Sequence, residues 1–97
     1  MTAYIIATVT VLDPEAYRPY TVDVPAVIAQ YGGRYLVRGG AVSAIEGDMA
    51  LDRVVVIEFP SVEAARAFHA SPEYAPLLVL RQSASHAQLV IVEGVAP

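Results

Sequence analysis

The side chain with the clearest chemical potential in this sequence is a carboxylate inside an apolar segment. Glu58 lies in RVVVIEFPS, Arg53 to Ser61, where apolar residues on both alternating faces predict a strand covered on both sides. A lone buried carboxylate is costly unless it is paired. Glu58 is therefore either a general base or ligand anchor, or half of a structural ion pair with Arg38 or Arg81. The sequence leaves both interpretations open.

Two arginines could hold the carboxylate of a ligand in a bidentate grip. Arg38 precedes Gly39-Gly40, where a break in the strand would let a ligand approach the backbone. Arg81 follows Tyr74 by seven residues, so the two side chains share one side of a helix. We predict that both arginines bind substrate. A structural salt bridge is the more ordinary role for each and remains the alternative.

The two histidines are the remaining candidates for proton transfer, because the ordinary pKa of histidine lies near neutral pH. His69 is the second catalytic candidate, after Glu58. His69 and His86 stand alone, without carboxylates at an ordered spacing, which is weak evidence for a metal or haem site. We therefore predict no metal and no cofactor. A surface or capping role is the alternative for both histidines.

Tyrosines supply candidate hydrogen-bond donors for the same pocket. Tyr74 and Tyr35 could orient a substrate through their phenol groups, and Tyr17 and Tyr20 could complete the wall. Aromatic side chains at helical spacing more often belong to the core, with the hydroxyl at its edge. We predict substrate-binding roles for Tyr74 and Tyr35, with a place in the core as the alternative.

The composition predicts one domain, residues 1–97, with a surplus of apolar surface. Hydrophobic residues make up 56% of the chain and charged residues 16%, below the usual quarter or so. The net charge of −4 and the pI near 4.9 predict no nucleic-acid partner, because such binding needs a basic face. Without cysteine, disulfides, thiolate metal sites and cysteine nucleophiles are excluded.

No apolar stretch in the sequence approaches the roughly 20 residues that cross a bilayer, so we predict no membrane partner. The first residues lack the basic flank and the small-residue cleavage site of a signal peptide. The cytoplasm is therefore the default expectation for this chain.

The first part of the chain predicts a strand followed by a helix. Ala3–Val11 is rich in β-branched residues and predicts the first strand. Asp13 is a natural N-cap for the helix that follows, and Gly32-Gly33 is a typical helix end. Pro19 and Pro25 each remove a backbone donor, which predicts a kinked or two-piece helix.

The middle of the chain predicts a hairpin. Arg34–Arg38 is the second strand, with a bulge at Gly39-Gly40 and a continuation over residues 41–46. Residues 47–52 form the loop that leads to the strand containing Glu58. A symmetric loop would place Glu46 across from Arg53 as a cross-strand ion pair.

The last part of the chain predicts two helical segments, capped by Ser61 and Ser71, and a final strand over His86–Val92. The resulting order is β-α-β-β-α-β. Right-handed crossovers place the helices on one face of a four-stranded antiparallel sheet, which is the ferredoxin-like α+β arrangement.

The strands themselves predict self-association. Helices cover one face of the sheet, whereas the strands carry apolar side chains on both faces. An uncovered apolar face of that size exceeds what a monomer usually exposes. We therefore predict a homodimer in which two subunits pack sheet against sheet.

The sequence also resembles the domain-of-unknown-function family 1330 over nearly its whole length. The resemblance rests on motifs that occur together and in order: Asp13-Pro14 with Tyr17, Tyr31 to Leu36, Arg38 to Gly40, Arg53 with Ile57 to Ser61, Phe68, Ser71 to Tyr74, Arg81 and Val92 to Gly94. It implies the dimeric α+β barrel superfamily. That superfamily includes cofactor-independent monooxygenases, muconolactone isomerase, dye-decolourising peroxidases and chlorite dismutases, so the fold does not by itself imply one reaction.

Two functions from different classes follow as hypotheses. The first is a cofactor-independent enzyme, isomerase- or monooxygenase-like by resemblance, that acts on a small anionic or aromatic metabolite in a pocket between sheet and helices. The second is a non-catalytic, ligand-binding or stress-related dimer whose buried charges are structural. A haem-binding domain, resting on His69 or His86, is the third and weakest hypothesis.

Overall fold

The computed structural model describes residues 1–49 and 51–96, which form seven elements of secondary structure. The strands are β1 Ala3–Val11, β2 Arg34–Arg38, β3 Arg53–Phe59 and β4 Ser85–Glu93; the helices are α1 Pro14–Gln30, α2 Val62–His69 and α3 Ala75–Ala84. Within the described ranges, none of the three helices combines the length and the apolar character needed to cross a membrane.

The four strands form one antiparallel sheet in the order β2-β3-β1-β4. This confirms the ferredoxin-like α+β prediction. Alternate residues of β1 and β3 point toward the helices, and we call this side the inner face. It carries Ile5, Ala7 and Val9 from β1, and Val55, Ile57 and Phe59 from β3. These buried residues form the core with the apolar stripes of the helices.

The opposite side of the sheet, which we call the outer face, has none of the described helices against it. Tyr4 and Ile6 of β1 and Val54 and Val56 of β3 are only half-buried there. At the β4 edge the same face is open, since Val90 is 56% and Val92 is 44% exposed. The outer face is therefore the apolar surface from which the dimer was predicted.

Helix α1 runs without a break from Pro14 to Gln30, so of the predicted kinked or two-piece helix the two-piece form is wrong. Its predicted cap is confirmed, because the Asp13 carboxylate accepts a hydrogen bond from the Ala16 N–H at 3.2 Å. A proline inside a helix leaves the carbonyl four residues earlier without its usual donor. The Thr21 carbonyl, four residues before Pro25, instead accepts a hydrogen bond from Arg38, which compensates for the loss.

The hairpin between β2 and β3 differs from the prediction in three ways. Residues 41–46 form no strand, and Glu46 is exposed rather than paired with Arg53. The predicted bulge at Gly39-Gly40 lies three residues earlier: the pairing with β3 shifts between Tyr35 and Val37, which leaves Leu36 as the extra residue. The loop predicted over residues 47–52 contains Ala50, which lies outside the described residues.

The second helical region also starts later than predicted. The Ser61 hydroxyl caps α2, accepting a hydrogen bond from the Ala64 N–H at 3.0 Å, which confirms that cap. The Ser71 hydroxyl accepts from the Tyr74 N–H at 3.1 Å, but it closes the turn before α3, and the helix begins at Ala75. This turn reverses the chain and brings Tyr74 into the core.

Candidate ligand-binding cavity

A small cavity lies between α1 and the inner face of the sheet. Its polar lining consists of four tyrosines, two arginines and one threonine, and the rest is apolar: Tyr17, Tyr20, Tyr35, Tyr74, Arg38, Arg53 and Thr21. The cavity volume is about 30 Å³, which is room for little more than one water molecule. A larger ligand can enter only if side chains at its rim move.

The bulge at Leu36 places Arg38 at this cavity. Tyr35 pairs with Ile57 and Arg38 pairs with Val55, so both side chains lie on the inner face although they are three residues apart. In a regular strand, residues three apart point to opposite faces. The single extra residue therefore directs the Arg38 guanidinium toward the helices instead of away from them.

Arg38 closes the cavity by bridging β2 and α1. Its guanidinium carbon lies 4.6 Å from the centroid of the Tyr35 ring, a cation–π contact. Its Nη2 donates to the Thr21 carbonyl at 2.5 Å, the carbonyl that lacks its usual donor because Pro25 has no N–H. Arg38 is exposed, so it can exchange these partners for a ligand without disturbing the core.

Arg53 reaches the same cavity from the start of β3. It shares the inner face with Val55 and Ile57, and its guanidinium carbon lies 5.9 Å from the centroid of the Tyr17 ring. Its Nε is buried and has no hydrogen-bond partner among residues 1–49 and 51–96. Gly39 makes room for it: this glycine has φ +73°, and a side chain there would collide with the Arg53 guanidinium.

A chain of hydrogen bonds extends from the cavity into the core. The Tyr20 and Tyr74 hydroxyls lie 2.8 Å apart, and Arg81 Nε donates to the Tyr74 hydroxyl at 3.3 Å. Tyr74 and Arg81 are only 1% and 5% exposed. The Arg81 charge is thus buried behind Tyr74, with a phenol as its neighbour in place of a carboxylate.

The electrostatic character of the cavity follows from these neighbours. Its lining contains no aspartate or glutamate, whereas it contains two arginines and borders a third. Burial raises the pKa of Tyr17, Tyr20 and Tyr35 above the ordinary value, so these phenols stay protonated at neutral pH. Positive charge and neutral O–H donors together favour an anion.

The predicted site residues fall into two groups. Tyr35, Arg38 and Tyr74 line the cavity, and Arg81 contacts it through Tyr74. Glu58 lies on the outer face, where it pairs with Arg34 and Tyr4 in the sheet register. His69 lies at the end of α2, outside the cavity lining, and its ring lies 5.6 Å from that of Tyr74 between ring centroids. The structure therefore separates both catalytic candidates from the cavity lining.

The predicted partner of Glu58 was wrong. Its carboxylate accepts a hydrogen bond from Arg34 Nε at 2.9 Å, not from Arg38 or Arg81. Arg38 lies on the inner face and Arg81 lies in α3, so both are on the other side of the sheet from Glu58. Arg34 instead stands opposite Glu58 on the neighbouring strand. Among the described residues, Arg34 and Glu58 form the ion pair of the sheet.

His69 has a second environment away from the cavity. It lines an open groove beside Arg66 and strand β4. Burial, and to a lesser extent the charge of Arg81, lower the pKa of His69 below the ordinary value. Within residues 1–49 and 51–96, no three histidine, aspartate or glutamate side chains come together as a metal site would require.

Arg53 and Thr21 are the cavity residues that the sequence reasoning missed. A signal for Arg53 was available: it is two residues before Val55 and four before Ile57, so strand alternation places it on their buried face. The predicted ion pair with Glu46 obscured this. For Thr21 the signal was Pro25, whose missing N–H leaves the Thr21 carbonyl free to accept.

Comparisons with known structures agree with the fold. A protein of unknown function from Rhodopseudomonas palustris, RPA0582, is 24% identical, with a TM-score of 0.79 over 99% of this chain and 84% of that one. SnoaB, a cofactor-independent oxygenase from Streptomyces nogalater, is 16% identical, with a TM-score of 0.66 over 99% and 95% of the two chains. At these identities the likeness concerns the fold and not the reaction.

The sequence comparisons address the family. No functionally curated protein matches the chain. A family described as a domain of unknown function, DUF1330, matches residues 2–95, which is nearly the whole chain. The match confirms the resemblance inferred from the ordered motifs. The chain therefore belongs to the DUF1330 family.

Proposed function

We propose that this protein binds a small anionic, aromatic metabolite in the cavity between α1 and the inner face of the sheet. The observation that carries the proposal is positive charge without a carboxylate partner. Arg38 and Arg53 line the cavity, and Arg81, which is 5% exposed, borders it through Tyr74. Among the described residues, the buried Nε of Arg53 has no hydrogen-bond partner. An anion from outside the chain would supply the missing partner.

The tyrosines support the aromatic part of the proposal. Tyr17, Tyr20, Tyr35 and Tyr74 give the cavity flat, polarisable walls and several O–H donors. A planar ring would stack between these walls while its acidic group meets the guanidinium groups. Aliphatic anions would make the charge contacts but lose the stacking.

Catalysis is the second candidate, supported by the hydrogen-bonded pair Tyr20 and Tyr74 with Arg81 behind it. Such a pair can donate a proton to a bound anion, and the arginine can stabilise negative charge that develops during a reaction. A reaction of this kind would need no cofactor, as in the oxygenase SnoaB, whose fold this chain shares. The proton-transfer roles predicted for Glu58 and His69 remain hypotheses outside this cavity.

The homodimer is part of the proposal. The outer face exposes Val90 and Val92 and only half-buries Ile6 and Val56. A second copy packed on this face would bury these side chains and support the sheet from the side opposite the cavity. The net charge of −4 favours a small ligand over a nucleic acid in either state.

Isothermal titration with benzoate tests the binding proposal. We expect wild-type protein to bind benzoate and Arg53→Gln to bind it about tenfold or more weakly, because a charge-assisted hydrogen bond is worth about 1.5–3 kcal/mol. Arg34→Gln is the matched control, since it removes an arginine from the outer face and should leave the affinity unchanged. Mass spectrometry of the recovered ligand separates binding from conversion.

Two results would contradict the proposal. One is equal benzoate affinity in the wild type, Arg53→Gln and Arg38→Gln. The other is an equal loss of affinity in the Arg34→Gln control, which would place the anion on the outer face. A thermal unfolding curve for each variant shows whether it is folded, so that a lost site and a lost fold can be told apart.

A further inference from the structure

A second recess lies outside the arginine–tyrosine cavity, between the last turn of α2 and strand β4. We call it the β4 groove, and it is lined by Arg66, His69, Ala70, Ile5 and the stretch Leu89, Val90 and Ile91. Its volume is about 420 Å³, which is within the range of pockets that hold small molecules. It is far larger than the cavity under α1 and needs no side chain to move before a ligand enters.

The β4 groove has two chemically distinct sides. The sheet side is apolar, with Ile5 fully buried and Leu89 and Ile91 half-buried. The helix side carries Arg66 and His69, which are three residues apart and therefore neighbours on one side of α2. Its lining contains no aspartate or glutamate, and in the described part of the chain no carboxylate lies within ion-pairing distance of either side chain.

We propose that the β4 groove binds a small carboxylate with an aliphatic tail. The carboxylate lies between Arg66 and His69, and the tail lies on Leu89, Ile91 and Ile5. The two sides of the groove match the two halves of such a ligand, one by charge and the other by apolar contact. This site is separate from the cavity under α1 and does not depend on what binds there.

His69 gives the site a measurable signature. The groups that face it are Arg66 on its own helix, Arg81 and the ring of Tyr74 on the neighbouring segment. Burial first, and then the positive charge of Arg81, disfavour the imidazolium form of His69 in the unliganded protein and lower its pKa. A carboxylate in the groove reverses this, and the pKa of His69 must rise when the ligand binds.

Nuclear magnetic resonance with hexanoate as the probe tests the proposal. We expect hexanoate to shift the amide signals of Arg66, His69, Ala70 and Ile91, and to raise the pKa of the His69 ring. Arg66→Gln should weaken hexanoate binding by about fivefold, the loss expected for an exposed charge pair. Arg18→Gln is the control, because it removes an exposed arginine from α1 and leaves the groove intact.

The uncharged analogue 1-hexanol distinguishes recognition of the carboxylate from apolar binding of the tail alone. We expect it to bind more weakly than hexanoate to the wild type and about equally to Arg66→Gln. Arg53→Gln, which disables the cavity under α1, should leave hexanoate binding unchanged. Loss of benzoate binding in the cavity and loss of hexanoate binding in the β4 groove can therefore be told apart.

Three outcomes overturn the proposal. In the first, hexanol binds as tightly as hexanoate. In the second, Arg66→Gln lowers the melting temperature but not the affinity, which would mean that Arg66 and His69 only stabilise the C-terminal end of α2. In the third, the groove signals change with protein concentration and not with hexanoate, which would assign the groove to a second copy of the chain.

Discussion

The two faces of the sheet carry the same kinds of residue, but the burial and the ion pairing of these residues differ between the faces. On the outer face, Arg34 is exposed and donates to Glu58 at 2.9 Å. On the inner face, Arg53 is partly buried. In the part of the chain that the structure describes, its Nε has no hydrogen-bond partner and no carboxylate lines the cavity beside it. The outer arginine is neutralised by the chain itself, whereas the inner one is not. This contrast separates a structural charge from one that is available to a ligand.

The apolar residues show the same asymmetry. Ile5 and Ile6 are neighbours in β1, yet Ile5 is 2% exposed under the helices while Ile6 is half-buried on the outer face. Strand alternation alone produces this difference. The helices of the same chain cover the inner face, whereas the outer face stays partly exposed in the described residues.

The largest expected effect comes from truncating this isoleucine pair. Ile5→Ala should lower the free energy of unfolding by about 2–5 kcal/mol, because it leaves a cavity in the core. Ile6→Ala should cost only about 1 kcal/mol in dilute protein. Denaturant unfolding measures both. In the proposed homodimer the cost of Ile6→Ala should grow with protein concentration, whereas equal costs at every concentration would contradict the asymmetry of the two faces.

Removing the Arg38 guanidinium should break the contrast between the faces directly. In Arg38→Gln, benzoate affinity should fall by about tenfold or more because one guanidinium is lost from the cavity. Deletion of Leu36 is the matched control, since it removes the bulge but keeps Arg38 opposite Val55 on the inner face and should leave the affinity unchanged. Isothermal titration of both variants measures the effect. Unchanged affinity in Arg38→Gln would show that Arg38 does not contact the anion.

A double-mutant cycle on Arg34 and Glu58 measures how much the ion pair of the outer face contributes to stability. Because Arg34 is largely exposed, each single substitution to glutamine should cost less than about 1 kcal/mol, and the coupling energy should be smaller still. Neither substitution should change benzoate affinity. If Glu58→Gln abolished ligand binding or turnover, Glu58 would regain the catalytic role that the sequence predicted for it.

The smallest expected effect is a pH dependence at His69. Its pKa is lowered in the folded chain, so as the pH falls below about 6.5 the unfolded chain takes up a proton first. His69 thus stabilises the fold fully above that pH, and its contribution is lost as the solution becomes more acid. Thermal unfolding across this range should show a shallower decline for His69→Gln. An identical pH profile would contradict the lowered pKa.

Much of the fold could be predicted from the sequence because local signals agreed with one another. The β-branched run of β1, the Asp13 cap of α1 and the Ser61 cap of α2 all correspond to what the structure contains. The hairpin after β2 could not be predicted as well. Residues 41–46 look like a strand, but no neighbouring strand pairs with them, and pairing is a property of the whole sheet.

The site was predictable only in part, and the reason is the side of the sheet on which each residue lies. Tyr35, Arg38 and Tyr74 were named from the sequence and do line one cavity. Glu58 was assigned partners on the other face, because register and bulge position decide which strand residues can meet. Whether the bulge lies before or after Arg38 is not visible in residue types, yet it decides where Arg38 points.

Pro25 gives α1 a role beyond packing. A helix normally uses all its interior carbonyls for itself, but this one has an oxygen at Thr21 that its own backbone cannot satisfy, and Arg38 occupies it. Arg38 therefore ties β2 to α1 through a carbonyl that the helix leaves free. An anion that takes Arg38 as its own partner leaves the Thr21 oxygen to water, so the anion must be the stronger hydrogen-bond acceptor of the two. Pro25→Ala would supply a backbone N–H to the Thr21 carbonyl, and Arg38 would lose this acceptor.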